Sequence, residues 1–212
     1  MITILVAGFG PFPGAANNPS AALVRALARR RRPALAGARV ISAVIPTSYA
    51  AVTGEFCDLL REHDPDAVLM FGLASRAKFV RVERRAVNAV TSVYADVARS
   101  KFGTRRWIPD ASAELHVRAP VAVLVHAARS AGVDARPSRD AGRYICNAAL
   151  FTALETARQS GRPKRIAFIH IPRPRGRSRI GKDTRALRPM MTSLVRAGEA
   201  VLVALLADLR RG

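Results

Sequence analysis

Residues 2–7, 67–71 and 165–171 are runs of strand length that are apolar at nearly every position, where a strand with one wet face would alternate. Such runs must be covered on both faces, and the cover at hand is the longer amphipathic stretches between them. Further extended segments are expected at 38–45 and, with a basic outer face, at 80–90. Helices are expected at 19–31, 49–63, 120–130, 147–159 and 189–210. Asn18 is a candidate cap for the first, with Pro19 at its first position. Val52, Phe56, Leu59 and Leu60 share one face of the second. Gly161 closes the fourth. Strands and helices alternating around a doubly covered sheet make a three-layer α/β/α sandwich. With 212 residues, half of them apolar, the chain can bury a full core as one domain, 1–212. Residues 95–118 show no period and hold the only tryptophan, Trp107. Segments 95–110 and 172–182 are the candidate mobile loops.

In sheets of this kind sites lie beyond the carboxyl ends of the strands. Gly8, Gly72 and Pro172 mark three such tips. His170 precedes Pro172 in an apolar stretch that would hold its ring rigidly. Cys146, in Gly142-Arg143-Tyr144-Ile145-Cys146-Asn147, stands where a loop enters a helix. A thiol at a helix start and an imidazole at a strand end are the parts of a cysteine hydrolase. The helix N-terminus is expected to stabilise the thiolate, and the histidine to carry the proton. Each residue also has a plainer reading: a small buried hydrophobe for the cysteine, a hydrogen-bonded strand-end ring for the histidine. Cys57, inside the second helix beside its apolar face, is expected to be inert. A cysteine–histidine pair calls for a third group to orient the ring. Glu83, in Val82-Glu83-Arg84-Arg85, is a candidate, though a glutamate among arginines also reads as solvated.

The turn Gly8-Phe9-Gly10-Pro11-Phe12-Pro13-Gly14 follows the first strand but is no phosphate cradle. Its two prolines lack the N–H groups that such a cradle is built from. Phe9 and Phe12 on a rigid loop suit an apolar ring pocket, or else cap the core.

Thirty-five Lys and Arg face fifteen Asp and Glu, the balance of a nucleic-acid binder. The basic residues are nevertheless scattered over helix ends and loops, with no helix-turn-helix, RNP or zinc-finger spacing. Nucleic acid is not the expected partner. No metal pattern links the histidines, and two cysteines make no disulfide framework. No apolar run reaches the roughly 18 residues of a membrane span. The opening Met1-Ile2-Thr3-Ile4 reads as a strand and not a signal peptide, so a reducing cytoplasm is expected.

Five short segments recur here in order. They are Gly8-Phe9-Gly10-Pro11-Phe12 with Asn18-Pro19-Ser20, then Ile45-Pro46-Thr47, Val82 to Asn88, Tyr144-Ile145-Cys146-Asn147, and Phe168-Ile169-His170-Ile171-Pro172. Together they resemble the pyroglutamyl-peptidase I family of cysteine peptidases over nearly the whole chain. The resemblance implies a mixed, mostly parallel α/β/α sheet and release of an N-terminal pyroglutamyl residue from N-blocked peptides, without a cofactor. It implies Cys146 as nucleophile, His170 as base and then acid, and Glu83 as the orienting carboxylate. Phe9 and Phe12 would hold the lactam ring, Thr47 and Tyr94 would add pocket groups, and Tyr144 and Ile145 would flank the nucleophile. Members are often tetrameric, so a homo-oligomer, dimer or tetramer, is implied.

The chain also departs from that pattern. Ala89 to Asp96 replaces a run that in the family carries an arginine, and Val93 stands at that place. Leu73 replaces a polar pocket side chain. A divergent member acting on another N-blocked substrate, or a basic binding protein that kept the fold without the chemistry, is the alternative expectation.

Overall fold

The computed structural model describes residues 1–30, 32–176 and 188–212. A six-stranded sheet runs in the order β2-β1-β3-β8-β4-β7. Its strands are β1 (Ile2–Phe9), β2 (Ala38–Ile45), β3 (Ala67–Leu73), β4 (Val80–Glu83), β7 (Ala135–Ser138) and β8 (Arg165–Ile171). β2, β1, β3 and β8 are parallel neighbours, whereas β4 runs antiparallel to β8 and parallel to β7. The fold is the mixed, mostly parallel α/β sandwich. β5 (Arg85–Val87) and β6 (Glu114–His116) form a separate antiparallel pair against α5 (Ile145–Ser160).

Strand alternation divides the core into two clusters. Ile4, Val6, Leu69, Phe71, Val80, Val82, Ala167 and Ile169 point to one face. That face is covered by α1 (Pro19–Ala28), α4 (Val121–Ser130) and α6 (Met191–Arg211). Leu5, Ala7, Phe9, Val68, Met70, Ile166 and Phe168 point to the other, under α5 and the helical stretch 49–63. That stretch is α2 (Tyr49–Ala51), a π-helical turn (Val52–Phe56) and α3 (Cys57–His63). Val52, Phe56 and Leu60 are its buried face, with Leu59 packed alongside. Each fully buried leucine or phenylalanine contributes about 1.5–3 kcal/mol, so these two clusters supply the driving force for the sandwich.

Asn18 caps α1, its side chain accepting from the Ser20 N–H, with Pro19 in the first turn. Gly161 in the left-handed region ends α5. Two strands went unread at the level of sequence. β7 carries Pro137, which only an edge strand tolerates, and β7 is an edge. β6 is three residues within the expected irregular region. The extended segment 80–90 proves to be β4 and β5, which belong to different sheets. The stretch 95–110 has no regular structure but is tied down by side chains, as set out below. Residues 177–182 of the second expected loop lie outside the described residues.

Candidate active site

Period-two alternation puts Arg81, Glu83, Phe168, His170, Met70 and Gly72 on the α5 face of the sheet. The register then aligns them. Gly72 of β3 is opposite His170 of β8, and His170 is opposite Arg81 of β4. Cys146, in the first turn of α5, lies over this row. A Cβ built on Gly72 would stand 2.9 Å from the Cys146 Sγ and 2.8 Å from the Phe168 ring. Glycine at 72 is therefore the space that lets the sulfur come down onto the sheet beside the histidine strand.

His170 is 6% exposed and Glu83 0%. The His170 Nδ1 is 2.9 Å from the Glu83 Oε1. A glutamate readable from its neighbours as solvated is thus sealed in the core and holds the ring, because β4 turns it inward while Arg84 and Arg85 stay at the rim. The Arg81 Nε lies 3.3 Å from the same oxygen. The second carboxylate oxygen of Glu83 has no hydrogen-bond partner among the described residues. The Phe168 and His170 rings are 4.7 Å apart, and Phe9 stacks on Phe168 at 6.0 Å. The imidazole is thereby held from below as well as at its Nδ1 edge.

Cys146 and His170 both line one cavity of about 330 Å³, with Phe9, Phe12, Thr47, Leu73 and Tyr144. Asn18, Arg76, Arg81 and Asp140 also line it, and sequence reasoning had assigned none of them to a site. A period of two counted back from Glu83 would have flagged Arg81. The phenylalanine loop is fixed at the Gly10 carbonyl, which accepts from Thr47 Oγ1 and from Asn18 Nδ2, both at 2.9 Å. Phe12 and Ala15 close it by pairing their backbones. Phe12 lies 6.4 Å from the Tyr144 ring, so the two make an aromatic wall.

Tyr94, implied as a pocket group, lies elsewhere, and Ile145, implied to flank the nucleophile, does so with its side chain turned away from the cavity. Tyr94 is 66% exposed and outside the cavity lining, because the backbone at 91–94 turns outward, with the Val93 N–H bonded to Thr91 Oγ1. Ile145 points into the core beneath α5. Val93, where an arginine was the pattern, is 69% exposed.

Asn147 explains how α5 is aimed. Its side chain accepts from the Val87 N–H and donates to the carbonyls of Val87 and Ala89, stitching the first turn onto the end of β5. Three such bonds contribute about 1 kcal/mol each. Tyr144, the cap residue, makes no side-chain cap bond, so the first-turn N–H groups beside Cys146 are not taken up by it.

Burial pushes the Cys146 thiol up to about 12 from 9.0, the Glu83 carboxylate adds to the rise, and the backbone N–H of Cys146 opposes it. Burial thus acts on the Cys146 thiol against the stabilisation expected from the helix N-terminus. Burial also raises the Cys57 thiol, which bonds to the Val52 carbonyl on the far side of the helical stretch.

A thiol and a carboxylate-held imidazole facing one aromatic-walled cavity, at the carboxyl edge of an α/β sheet, define the class: a cysteine peptidase. Within that class the chain belongs to the pyroglutamyl peptidase family, whose pattern matches residues 2–210. It is 36% identical over 169 residues to the pyrrolidone-carboxylate peptidase of Thermococcus kodakarensis, covering 80% of both chains. With that of Deinococcus radiodurans it shares 34% over 173 residues, 81% of this chain and 78% of the other. The solved structure of the pyrrolidone carboxyl peptidase from Thermococcus litoralis superposes with a TM-score of 0.89 at 26% identity, over 100% of this chain and 96% of that one.

Proposed function

We propose that this chain hydrolyses the bond after an N-terminal pyroglutamyl residue of a peptide, with Cys146 as nucleophile, His170 as proton carrier and Glu83 as the group that orients it. The observation that carries the site assignment is the 2.9 Å contact from His170 Nδ1 to the buried Glu83 carboxylate. A carboxylate at Nδ1 selects the tautomer that leaves Nε2 free to accept a proton.

The Cys146 thiol proton moves to Nε2 as sulfur attacks the carbonyl carbon. The S–C bond forms and the carbonyl π electrons pass to oxygen. N–H groups at the start of α5 are the available donors for that oxyanion. The intermediate collapses, the C–N bond breaks, and the imidazolium gives its proton to the departing amine. Water then attacks the thioester as its proton passes to His170; the C–S bond breaks, the sulfur takes that proton back from His170, and the free carboxylic acid leaves. Burial of the thiol sets the barrier to deprotonation, and the hydrogen bond to Glu83 lowers it by stabilising the imidazolium that forms.

The cavity suits the substrate. Pyroglutamate presents a small neutral ring without an ammonium, and Phe9, Phe12, Leu73 and Tyr144 offer it mostly apolar surface. A free N-terminal amine set against those same apolar side chains would lose hydration there. The reading extends to one domain over 1–212, supported by a single main sheet with a core cluster on each face. It includes the reducing cytoplasm, supported by two free cysteines. It includes self-association as a dimer or tetramer, supported by exposed Val93, Tyr94 and Val97 in one short segment. No helix among the described residues is long and apolar enough to cross a membrane.

The test is turnover of a pyroglutamyl-aminocoumarin. The wild-type chain is expected to release the fluorophore, Cys146→Ala to abolish release, and Cys57→Ala to keep most of it. Equal losses in the two variants would sink the assignment of the nucleophile.

A further inference from the structure

We infer that Arg81 is a positioning residue for this reaction, a clamp that holds Glu83 against His170 and joins that pair to the loop leading to Cys146. The inference rests on the hydrolase reading above. Arg81 is directly opposite His170 in the β4–β8 register, and two residues before Glu83 on the same face. Its Nε contacts the Glu83 Oε1 at 3.3 Å, the oxygen that also meets His170 Nδ1. The guanidinium then reaches away from the carboxylate. Its Nε and Nη2 donate to Ser138 Oγ at 3.1 and 2.6 Å, and Nη2 donates to the Asp140 carbonyl.

Those acceptors begin the loop that delivers the nucleophile. Ser138 ends β7, and its Oγ also accepts from the Asp140 N–H. The Asp140 carboxylate accepts from the Gly142 N–H, two residues before the α5 cap. A planar, always charged fork can serve a carboxylate on one side and two oxygens on the other, which an ammonium cannot do in fixed geometry. Glu83 needs such a partner. It is fully buried, one of its oxygens is unpartnered, and Arg81 is the cation in contact with the other. Without Arg81 the carboxylate would keep only the histidine, and its rotamer would be free to follow its own solvation.

Arg81 also lines the cavity, so a direct role in gripping substrate is the rival. The two differ in what they move. A positioning residue changes kcat and acts only through Glu83, while a gripping residue changes KM and acts independently of it.

The experiment measures kcat and KM for a pyroglutamyl-aminocoumarin in wild type, Arg81→Met, Glu83→Gln and the double variant, with thermal unfolding of each. Arg81→Met is expected to lower kcat about 10- to 100-fold with KM within about twofold of wild type, the scale of a small misplacement of a reacting group. In the Glu83→Gln background the same change is expected to cost less than about twofold, since groups acting as a unit are not additive. Arg81→Lys, which keeps the charge and loses the fork, is expected to fall between, and replaces the methionine variant if that one unfolds. An unchanged kcat, a loss confined to KM, or a full loss repeated in the Glu83→Gln background overturns the inference. Wild-type turnover with any of those results leaves the hydrolase reading standing, whereas absence of wild-type turnover removes both.

Discussion

The row Gly72–His170–Arg81 runs beneath the site, while the segment 88–113 lies behind it as the wall that backs Tyr144 and α5, and the two are held by opposite means. The row is held by strand register: three side-chain positions on adjacent strands, set by backbone pairing, with Glu83 one pleat away. The wall belongs to no strand pair; it has scattered backbone bonds, such as Asn88 N–H to the Ala113 carbonyl and Val90 N–H to that of Arg105, and is otherwise hung from a few polar side chains. Asn88 accepts from the N–H groups of Trp107 and Ile108 and donates to the carbonyls of Ile108 and Ala111. Asp96 accepts from Tyr49, Ala98 and Ser100. Trp107 is pinned to α5 through Thr152, and Tyr144 donates to the Ala95 carbonyl. Register fixes reacting groups to a fraction of an ångström, which proton transfer demands; side-chain tethers set the shape of a wall, which binding tolerates more loosely.

The largest effect is expected where the row carries charge. Glu83→Gln keeps the shape but offers the ring an amide, and kcat should fall about 10³- to 10⁴-fold as tautomer control is lost. A loss below tenfold would show that strand register alone holds the imidazole, and that the carboxylate adds little. Next comes Gly72→Ala. The new methyl would meet both the Cys146 sulfur and the Phe168 ring at under 3.0 Å, so one of them must move. Steady-state kinetics should show kcat down about 100-fold. Denaturant melts should show a loss of about 1–3 kcal/mol from overpacking. Normal kcat in a folded Gly72→Ala enzyme would mean the sulfur does not depend on that gap.

The wall should respond in stability more than in chemistry. Asn88→Ala strips the partner from the buried Trp107 N–H and from the half-buried Ile108 N–H and carbonyl, while the Ala111 carbonyl keeps Arg106, which predicts a loss of about 1–3 kcal/mol in urea unfolding. Its kcat should stay within about threefold of wild type at temperatures where it is folded, with KM rising as the wall loosens. If kcat instead collapses as in the row variants, the division between the two regions fails.

How much of this was legible in the sequence follows the same division. Strand runs and the cysteine and histidine at element ends could be read because hydrophobic period and element termini are local properties. Glu83 could be nominated, yet its burial depends on β4 joining β8 antiparallel, a pairing across 87 positions that no local pattern encodes. Arg81 was hidden for the same reason. Pro137 argued against a strand at 135–138 until that strand was seen to be an edge. Tyr94 and Val93 follow a spacing that holds only where the backbone is regular, and at 91–94 it is not. The helix start at Cys146 was visible, whereas the packing that buries its sulfur comes from β3 and β8.

The smallest effect tests that packing. The Cys146 thiol is raised to about 12 in the native state from 9.0. Its contribution to stability is therefore complete below pH 9. That contribution declines as the pH climbs toward 12, because the unfolded chain ionises the thiol first. Tyr49 and Tyr144, each raised by burial to about 12 from 10.0, act in the same direction over the upper part of that range. Cys57, Tyr49 and Tyr144 contribute equally to wild type and to Cys146→Ala, so the difference between the two isolates Cys146. Urea unfolding across that range should show wild-type stability falling with pH more steeply than that of Cys146→Ala, whatever offset the lost sulfur leaves between them. Iodoacetamide should alkylate Cys146 at neutral pH more slowly than a free thiol, with a rate that still climbs above pH 9. Equal slopes together with fast neutral labelling would mean that the row shelters its sulfur no better than the wall shelters its loops, and that the proton has left before substrate arrives.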